Sequence, residues 1–402
     1  QELRLDLPAL RRVVDTGDWV STDFHVHSGY SFDSAISAEQ RLRSFVAQDA
    51  AVLVATEHDR IVPMAERARA LGLQREITVV GGAELTGMVR SARAPAGIGH
   101  LNAFPLPYRP GEFAGGMPAH EGIRLHQVMA GLRRLNPDVV VQLNHPRRGV
   151  ATDAADAFFE HLSLGERFNP GLPLDNIQNR SLIEAGEDGV RDIDFDLLEM
   201  ANGGDLAQYQ QVRADWLSLI LQGEYRPAVA SSDSHHLHQP AALPRSYVAY
   251  RGAAGSPVEL DRWRAAVRAG RIVGSSGPLP ELRLTNATGV GGGVGDTLVG
   301  HEFKLSLTVQ SAPWVNVDQA WIYLNGRVIW GGAISPGETL ELPIQVEQDS
   351  FIFVEVYGDA GEAYTALAPG HRPMAFTNPV WIDADGDGQW SAPGLDSLPL
   401  AL

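Results

Sequence analysis

The sequence predicts an α/β domain, either a barrel or an open sheet of parallel strands covered by helices, followed by a small all-β sandwich. Three observations carry the prediction. From about residue 19 to 280, short apolar runs alternate with helical patterns, as in parallel sheets buried on both faces. After the "GSSGP" of residues 274–278 the pattern changes to apolar–polar alternation with a period of two. Histidines and acids also stand at the ends of one apolar run after another, where α/β folds build their sites.

The strand candidates, in order, are "STDFHVH", "AVLVATEH", "ITVVGGAEL", "GHLNAFPL", "VVVQLNHP", "DLLEMANG" and "RPAVASSDSH". Between them lie helical segments. The first, "AEQRLRSFVAQ", is opened by a capping box of Ser37 and Gln40 and turns Leu42, Phe45 and Val46 inward. "PMAERARALGL", "HQVMAGLRRLN", "DWLSLILQG" and "VELDRWRAAVRAG" follow. Residues 85–120 and 147–190 are rich in Gly and Pro and weakly periodic, so they read as long loops. In the second part, "FKLSLTV", "QAWIYLNGRVIW", "TLELPIQV" and "SFIFVEVYG" read as strands, with a tight hairpin at Asn325-Gly326. No internal repeat is visible. Residues 1–280 are therefore expected to form the α/β domain and 281–402 the sandwich, with an acidic loop near its end. The glycine run at 289–295 lacks dinucleotide-loop spacing and a following helix, and reads as a flexible surface loop.

Composition removes several classes of chemistry. At 402 residues, 44% of them apolar, the chain can bury large cores. Acids outnumber bases 49 to 32, a net charge of −17 that repels phosphate backbones and argues against extended nucleic-acid binding. There is no cysteine, so any metal must be held by histidine and carboxylate. The single lysine is Lys304, which leaves the first part without a P-loop lysine or Schiff-base chemistry. No apolar run reaches the roughly 18 residues that span a bilayer. The chain begins at Gln1 rather than methionine, which reads as a processed product and favours a secreted or periplasmic protein over a cytoplasmic one.

In "TDFHVHSGYSFDS", His25 and His27 fall one residue apart on a strand and face the same way, while Val26 faces the other. His58 in "ATEHD", Glu84 in "GGAEL", His100 in "GHLNAF", His145 in "QLNHP" and Asp233 with His235 in "SSDSHH" add further imidazoles and acids at strand ends. Core histidines satisfied by hydrogen bonds would explain one such motif. They do not explain the same placement repeated along the chain, whereas divalent cations would satisfy all these groups together.

These phrases, in this order, resemble the polymerase-and-histidinol-phosphatase (PHP) superfamily of metallohydrolases. "GHLNAF", "LNHPR", "EMANG" and "GSSGP" further resemble its carbaryl-hydrolase-like (CehA/McbA) branch, and the resemblance covers about residues 20–280. It implies a distorted seven-stranded TIM-like β/α barrel with two or three divalent ions, Zn, Mn or Fe, at its C-terminal face. Carried onto this chain, it assigns His25, His27, Glu84 and Asp233 to one ion, Glu84, His100 and His145 to a second, and His58, His235 and Asp33 to a third. Two departures stand out: Asp33 occupies a position where the pattern usually has histidine, and Glu57 one where it has aspartate. Asp23, Asn144 and Ser232 flank the ligands and are candidates to orient them.

Paired metals sharing a carboxylate lower the pKa of bridging water, and the resulting hydroxide attacks a polarised electrophile. A small-molecule phosphoester is the favoured substrate, with Asp233 and His235 in the reacting centre and Arg147 clamping a phosphoryl oxygen. A carbamate, ester or amide is the alternative. A secreted binding module with structural metals is the reading from another class. Among the remaining residues, His236 and His238 read as surface, His120, His126 and His161 carry no role, and Glu184 and Glu199 are placed facing the rim. "DADGDGQW" resembles the start of a calcium loop through Asp383, Asp385 and Asp387, without its closing glutamate, and would give a weak calcium site at most.

Overall fold

The computed structural model describes residues 12–148, 155–250 and 258–397; Gln1 and residues 149–154 of the second expected loop lie outside them. In chain order, the first part holds β1 (Trp19–Asp23), α1 (Ala38–Ala47), β2 (Val52–Ala55), α2 (Met64–Ala70), β3 (Thr78–Gly81), β4 (Ala83–Leu85) and β5 (Leu101–Phe104). It continues through α3 (Leu125–Leu135), β6 (Val140–Leu143), β7 (Leu197–Asn202), α4 (Leu206–Leu221), β8 (Ala228–Ser231), β9 (Arg245–Ala249), α5 (Leu260–Arg268) and β10 (Ile272–Ser275).

These strands form two sheets. One has the order β4-β5-β6-β7-β8, and the other runs β3-β2-β1-β9-β10 and continues into the second part. The fold is mixed α/β, and the ladders do not close into a barrel. Single bridges, Val26 with Ser234 and His58 with Glu84, join the two sheets just past the ends of β1 and β2. The chain passes from one sheet to the other at Gly82, where a Cβ would lie 2.7 Å from the Ala103 carbonyl and 3.2 Å from that of Ala55. Only glycine fits between those carbonyls.

The expectation of uniformly parallel strands is corrected at two places. β1-β2-β3 and β6-β7-β8 are parallel, but β5 runs antiparallel to both β4 and β6. The connection from β4 to β5 contains no helix, and a parallel neighbour needs a covering crossover. β9 and β10 were not visible as strands in the sequence. β9 adds antiparallel to β1 and β10 antiparallel to β9, and β9 alternates half-buried with buried residues over only Arg245–Ala249.

The helices cover the sheets through the expected apolar faces. The capping box of α1 is present, with Ser37 Oγ accepting from Gln40 N at 3.2 Å and Gln40 Oε1 accepting from Ser37 N at 3.1 Å. Leu42 and Phe45 are fully buried, each such side chain contributing about 1.5–3 kcal/mol of transfer free energy. Val46 is half-buried. α4 is buried on most of its surface because β7 lies on one side and the second part on the other; Trp216 meets Phe353 edge-on at 5.3 Å.

The second part contains β11 (Leu279–Asn286), β12 (Gly291–Gly293), β13 (Thr297–Val299), β14 (Glu302–Gln310), β15 (Gln319–Leu324) and β16 (Arg327–Ala333). It ends with β17 (Thr339–Gln345), β18 (Ser350–Tyr357), α6 (Glu362–Leu367), β19 (Met374–Thr377) and β20 (Val380–Asp383). One layer is β12-β11-β14-β17. The other is β13-β20-β18-β19, with β15 and β16 on the flank of β18, and it reaches the first part through the pairing of β19 with β10. Leu282, Leu284, Leu305 and Leu307 from the first layer meet Ile352, Val354 and Val356 from the second. The Asn325-Gly326 hairpin is as expected, both residues having positive φ (51 and 79), which a two-residue hairpin turn of this kind requires. The glycine run is not a loop throughout: Gly291–Gly293 pairs with β11. A Cβ on Gly291 would sit 3.0 Å from the Leu284 carbonyl, a tight approach that glycine accommodates without displacing the neighbouring strand.

Candidate metal centre

His25 and His27 lie just beyond β1, where the strand end runs between β2 and β8. Val26 N accepts a place in that groove by donating to Thr56 Oγ1 at 2.8 Å, and Val26 itself is buried with Leu42 and Phe45. Both imidazoles therefore face the opposite side, with ring centres 5.2 Å apart. Arg41 of α1 holds this segment against the end of β8: it donates to His27 O at 2.7 Å, Ser234 Oγ at 3.0 Å and Ser234 O at 2.7 Å. Burial pushes the Arg41 guanidinium down to about 10, so it remains charged near neutrality.

Glu84, buried in β4, is the hub. Its Oε1 lies 3.2 Å from His25 Nε2, 3.1 Å from His100 Nδ1 and 3.5 Å from His145 Nε2. Its Oε2 lies 3.3 Å from His27 Nε2 and 3.0 Å from His58 Nδ1. Asp233 Oδ1 stands 3.2 Å from both His25 Nε2 and His27 Nε2. Asp33 Oδ2 is 3.1 Å from His58 Nε2 and 3.2 Å from His235 Nε2. Every residue expected to ligate a metal is thus brought to one place. Within it, His25–His27–Glu84, Glu84–His100–His145 and His27–Asp33–His58–His235 each have one donor atom per residue within 4.8 Å of the others. His100 arrives by an unexpected route: it stands just before β5 rather than closing a strand, and the reversed direction of β5 brings it to the same rim.

The donor atoms fit a cation rather than one another. His25 Nε2, His27 Nε2, His58 Nδ1, His145 Nδ1, Glu84 Oε2 and Asp233 Oδ1 are all buried without a hydrogen-bond partner, although buried polar atoms are ordinarily paired. Shared divalent ions would satisfy these atoms apart from His145 Nδ1, since His145 turns Nε2 toward Glu84. Burial opposes charge on His27, yet the facing carboxylates of Asp233 and Glu84 raise it to about 9. Burial and then the charge of His27 push His235 down to about 4, leaving it in the neutral form that ligates metals. Burial acts to raise Glu84, but His25 and His100 hold it well below the usual carboxylate range. His145 and Asp233 both have positive φ (23 and 46), a strained conformation typical of residues held in place for function. Backbone bonds secure them: His145 N donates to Glu199 Oε2 at 2.7 Å, and Asp233 N to His25 O at 2.9 Å.

A surrounding layer fixes the ring orientations. His25 Nδ1 meets Glu199 Oε1 at 3.0 Å, and His27 Nδ1 meets Ser31 Oγ at 3.0 Å. Glu57 accepts from Ser31 Oγ at 2.6 Å and from Ser28 N at 3.0 Å, so its extra methylene relative to aspartate reaches across to the His27 loop. Asn144 donates to Glu84 Oε1 at 2.9 Å, and Asp23 accepts from His25 N at 3.2 Å and from Ser232 Oγ at 2.6 Å. Burial raises Asp23 to about 6.

Several sequence readings are corrected. Arg147 does not face the centre. Its Nε and Nη2 grip Asp215 at 2.7 and 2.6 Å, and Nη1 and Nη2 donate to Phe159 O at 3.0 Å and Phe168 O at 2.8 Å. A buried guanidinium engaged in this way has no edge left for a phosphoryl group. Glu184 is exposed and pairs with Arg180, whereas Glu199 lies within β7 and supports His25. Arg41 was missed, though its position four residues before Phe45 on the inward stripe of α1 is a readable signal. His236 and His238 are exposed, as expected. His120 pairs with Asp59 at 2.8 Å and forms a separate group with Glu121. Asp383 accepts Gly386 N at 2.7 Å and Gly388 N at 2.9 Å with its two oxygens, and Asp387 accepts Gln389 N at 2.7 Å. The acidic turn is thereby built by its own carboxylates.

No family model matches the chain, and no curated protein matches it. Among solved structures, an amidohydrolase from Chromobacterium violaceum, described with bound sulfate and no metal, is similar over 62% of this chain and 96% of its own. The identity is 15% and the TM-score 0.36, a likeness too slight to bear on the site. The centre is read from its own geometry. Among the described residues, no helix is long and apolar enough to cross a membrane.

Proposed function

We propose that this chain is a metal-dependent hydrolase of the PHP type, related to its carbaryl-hydrolase-like branch, that acts on small-molecule phosphoesters. The supporting observation is Glu84, whose two oxygens face two different sets of imidazole nitrogens, Oε1 those of His25, His100 and His145 and Oε2 those of His27 and His58, with His25 Nε2, His27 Nε2 and His58 Nδ1 buried and without a hydrogen-bond partner. That is what a carboxylate shared between ions needs. On this reading, residues 1–280 are the hydrolase domain, a distorted form of the seven-stranded TIM-like barrel with unclosed ladders, and 281–402 the sandwich. His25, His27, Glu84 and Asp233 hold one ion, Glu84, His100 and His145 a second, and His58, His235 and Asp33 a third, with Zn, Mn and Fe all compatible with mixed nitrogen and oxygen donors. When bound, such ions lower the pKa of water and offset the charge of a phosphoryl group. The chain's own residues do the rest. Glu199, Ser31 and Asn144 orient the ligands, Glu57 steadies Ser31, and Asp33, 37% exposed, stands at the open side where substrate enters.

A panel of nitrophenyl phosphate, bis-nitrophenyl phosphate, nitrophenyl acetate and naphthyl carbamate tests the substrate class. Turnover of a phosphate with loss in EDTA is expected. Carbamate or acetate turnover without any phosphate turnover would move the assignment to carbonyl hydrolysis. His145→Ala and Asp233→Ala are each expected to abolish turnover while the sandwich stays folded, and retained turnover in either would overturn the ligand assignment. Calcium at Asp383, Asp385 and Asp387 is a separate proposal, checked by whether calcium raises the melting temperature of protein stripped of other metals.

A further inference from the structure

We infer that Arg148 is the residue that binds the anionic group of the substrate, at the edge of the Glu84–His100–His145 group. The inference rests on the phosphoester reading and adds the residue that distinguishes an anionic substrate from a neutral one.

Arg148 follows Arg147 directly, but the two side chains have opposite fates. Arg147 is 3% exposed and bound on every side, whereas Arg148 is 38% exposed. Arg148 is held by one edge: Nε donates to Asp156 Oδ2 at 2.6 Å, and Nη2 meets the same oxygen. Asp156 is in turn fixed to the centre, because its carbonyl accepts from His100 N at 2.9 Å. The pair therefore stands beside His100, three residues along the chain from His145. After Asp156, the carboxylates whose charge Arg148 feels most strongly are Asp233 and Glu84 of the centre, and Asp156 in turn feels His145 and His100. Nη1 has no hydrogen-bond or ion-pair partner among the described residues.

A guanidinium fixed along one edge keeps a preorganised donor on the other, which suits a tetrahedral phosphate oxygen. Asp156 fixes the direction of Arg148 while leaving that donor available. Within a chain of net charge −17, a cation placed at the rim also counters the repulsion that an anionic substrate meets on approach.

The test is titration of inorganic phosphate into the metal-loaded full chain by calorimetry, with metal content and melting temperature measured in parallel. Arg148→Ala is expected to weaken phosphate binding about 10- to 100-fold, the range for losing a charge-assisted contact, with the metal stoichiometry retained. Arg148→Lys, which keeps the charge and loses the fork, is expected to fall between. Phosphate affinity within twofold of the parent in both variants, or no phosphate binding by the parent, would overturn the inference. Phosphate binding that weakens in Arg148→Ala, in a parent that hydrolyses no phosphoester, would leave the anion site standing and remove the proposed reaction. Phosphoester turnover with unchanged phosphate affinity would do the reverse.

Discussion

Glu84 sits with one oxygen toward His25, His100 and His145 and the other toward His27 and His58, so the account is most exposed at this single side chain. Glu84→Gln keeps the shape and removes the charge, and at least one metal equivalent per chain is expected to be lost on elemental analysis. Ser31→Ala breaks the Glu57–Ser31–His27 chain and is expected to weaken metal binding about 10- to 100-fold, as removal of an orienting partner typically does; metal titration reads this directly. Arg147 makes the contrasting prediction. Arg147→Ala strands the buried Asp215 carboxylate and is expected to cost about 3–5 kcal/mol in urea unfolding, without acting on the metal set. The residues gathered at the centre were legible in the sequence because two-residue spacing on a strand and acids at strand ends are local patterns. The fate of Arg147 was not, because Asp215 lies 68 residues away and nothing local distinguishes a buried guanidinium from one that faces substrate. Arg148, its neighbour, keeps one edge without a partner among the described residues.

At the level of elements, β5 shows how a correct residue can rest on an incorrect direction. His100 was expected at the rim because strand ends gather there, and it is at the rim, but just before an antiparallel strand. Pairing direction follows from the helix-free connection between β4 and β5, a property of a long segment that periodicity does not encode. β9 was missed for a related reason, being short and half-polar. α4 links the centre to the second part: Glu355 of β18, fully buried, accepts from Tyr209 and from Arg213 Nη1 at 2.7 Å, and from Tyr323 Oη at 2.7 Å. Glu355→Ala would remove the buried carboxylate that Arg213, Tyr209 and Tyr323 share at this junction, leaving the Arg213 charge without a counter-ion there, and is expected to destabilise the chain by about 3–5 kcal/mol. The melting temperature would fall while metal stoichiometry below the transition stays unchanged. At the start of α4, Asp205 caps the helix by accepting from Gln208 N at 2.9 Å, and Asp205→Ala is expected to cost about 1 kcal/mol in the same assay.

Over the whole molecule, the sequence made the mixed α/β first part and the period-two second part readable, since each rests on hydrophobic patterning. It did not reveal that β19 pairs with β10 and carries one sheet from the second part into the first, because such pairing depends on residues about a hundred positions apart. The acidic composition fits the same picture at the largest scale. A chain with 49 acids to 32 bases concentrates several carboxylates at one rim, and bound cations would offset that charge as well as satisfy the orphaned imidazoles. Chelation is therefore expected to lower stability along with activity, the shift in melting temperature growing with free metal concentration as ligand binding to the folded state requires.

The most direct measurement is elemental analysis of the full chain purified without chelator. Two or three divalent transition-metal equivalents per chain are expected. A folded, fully stable chain containing no bound metal would contradict this.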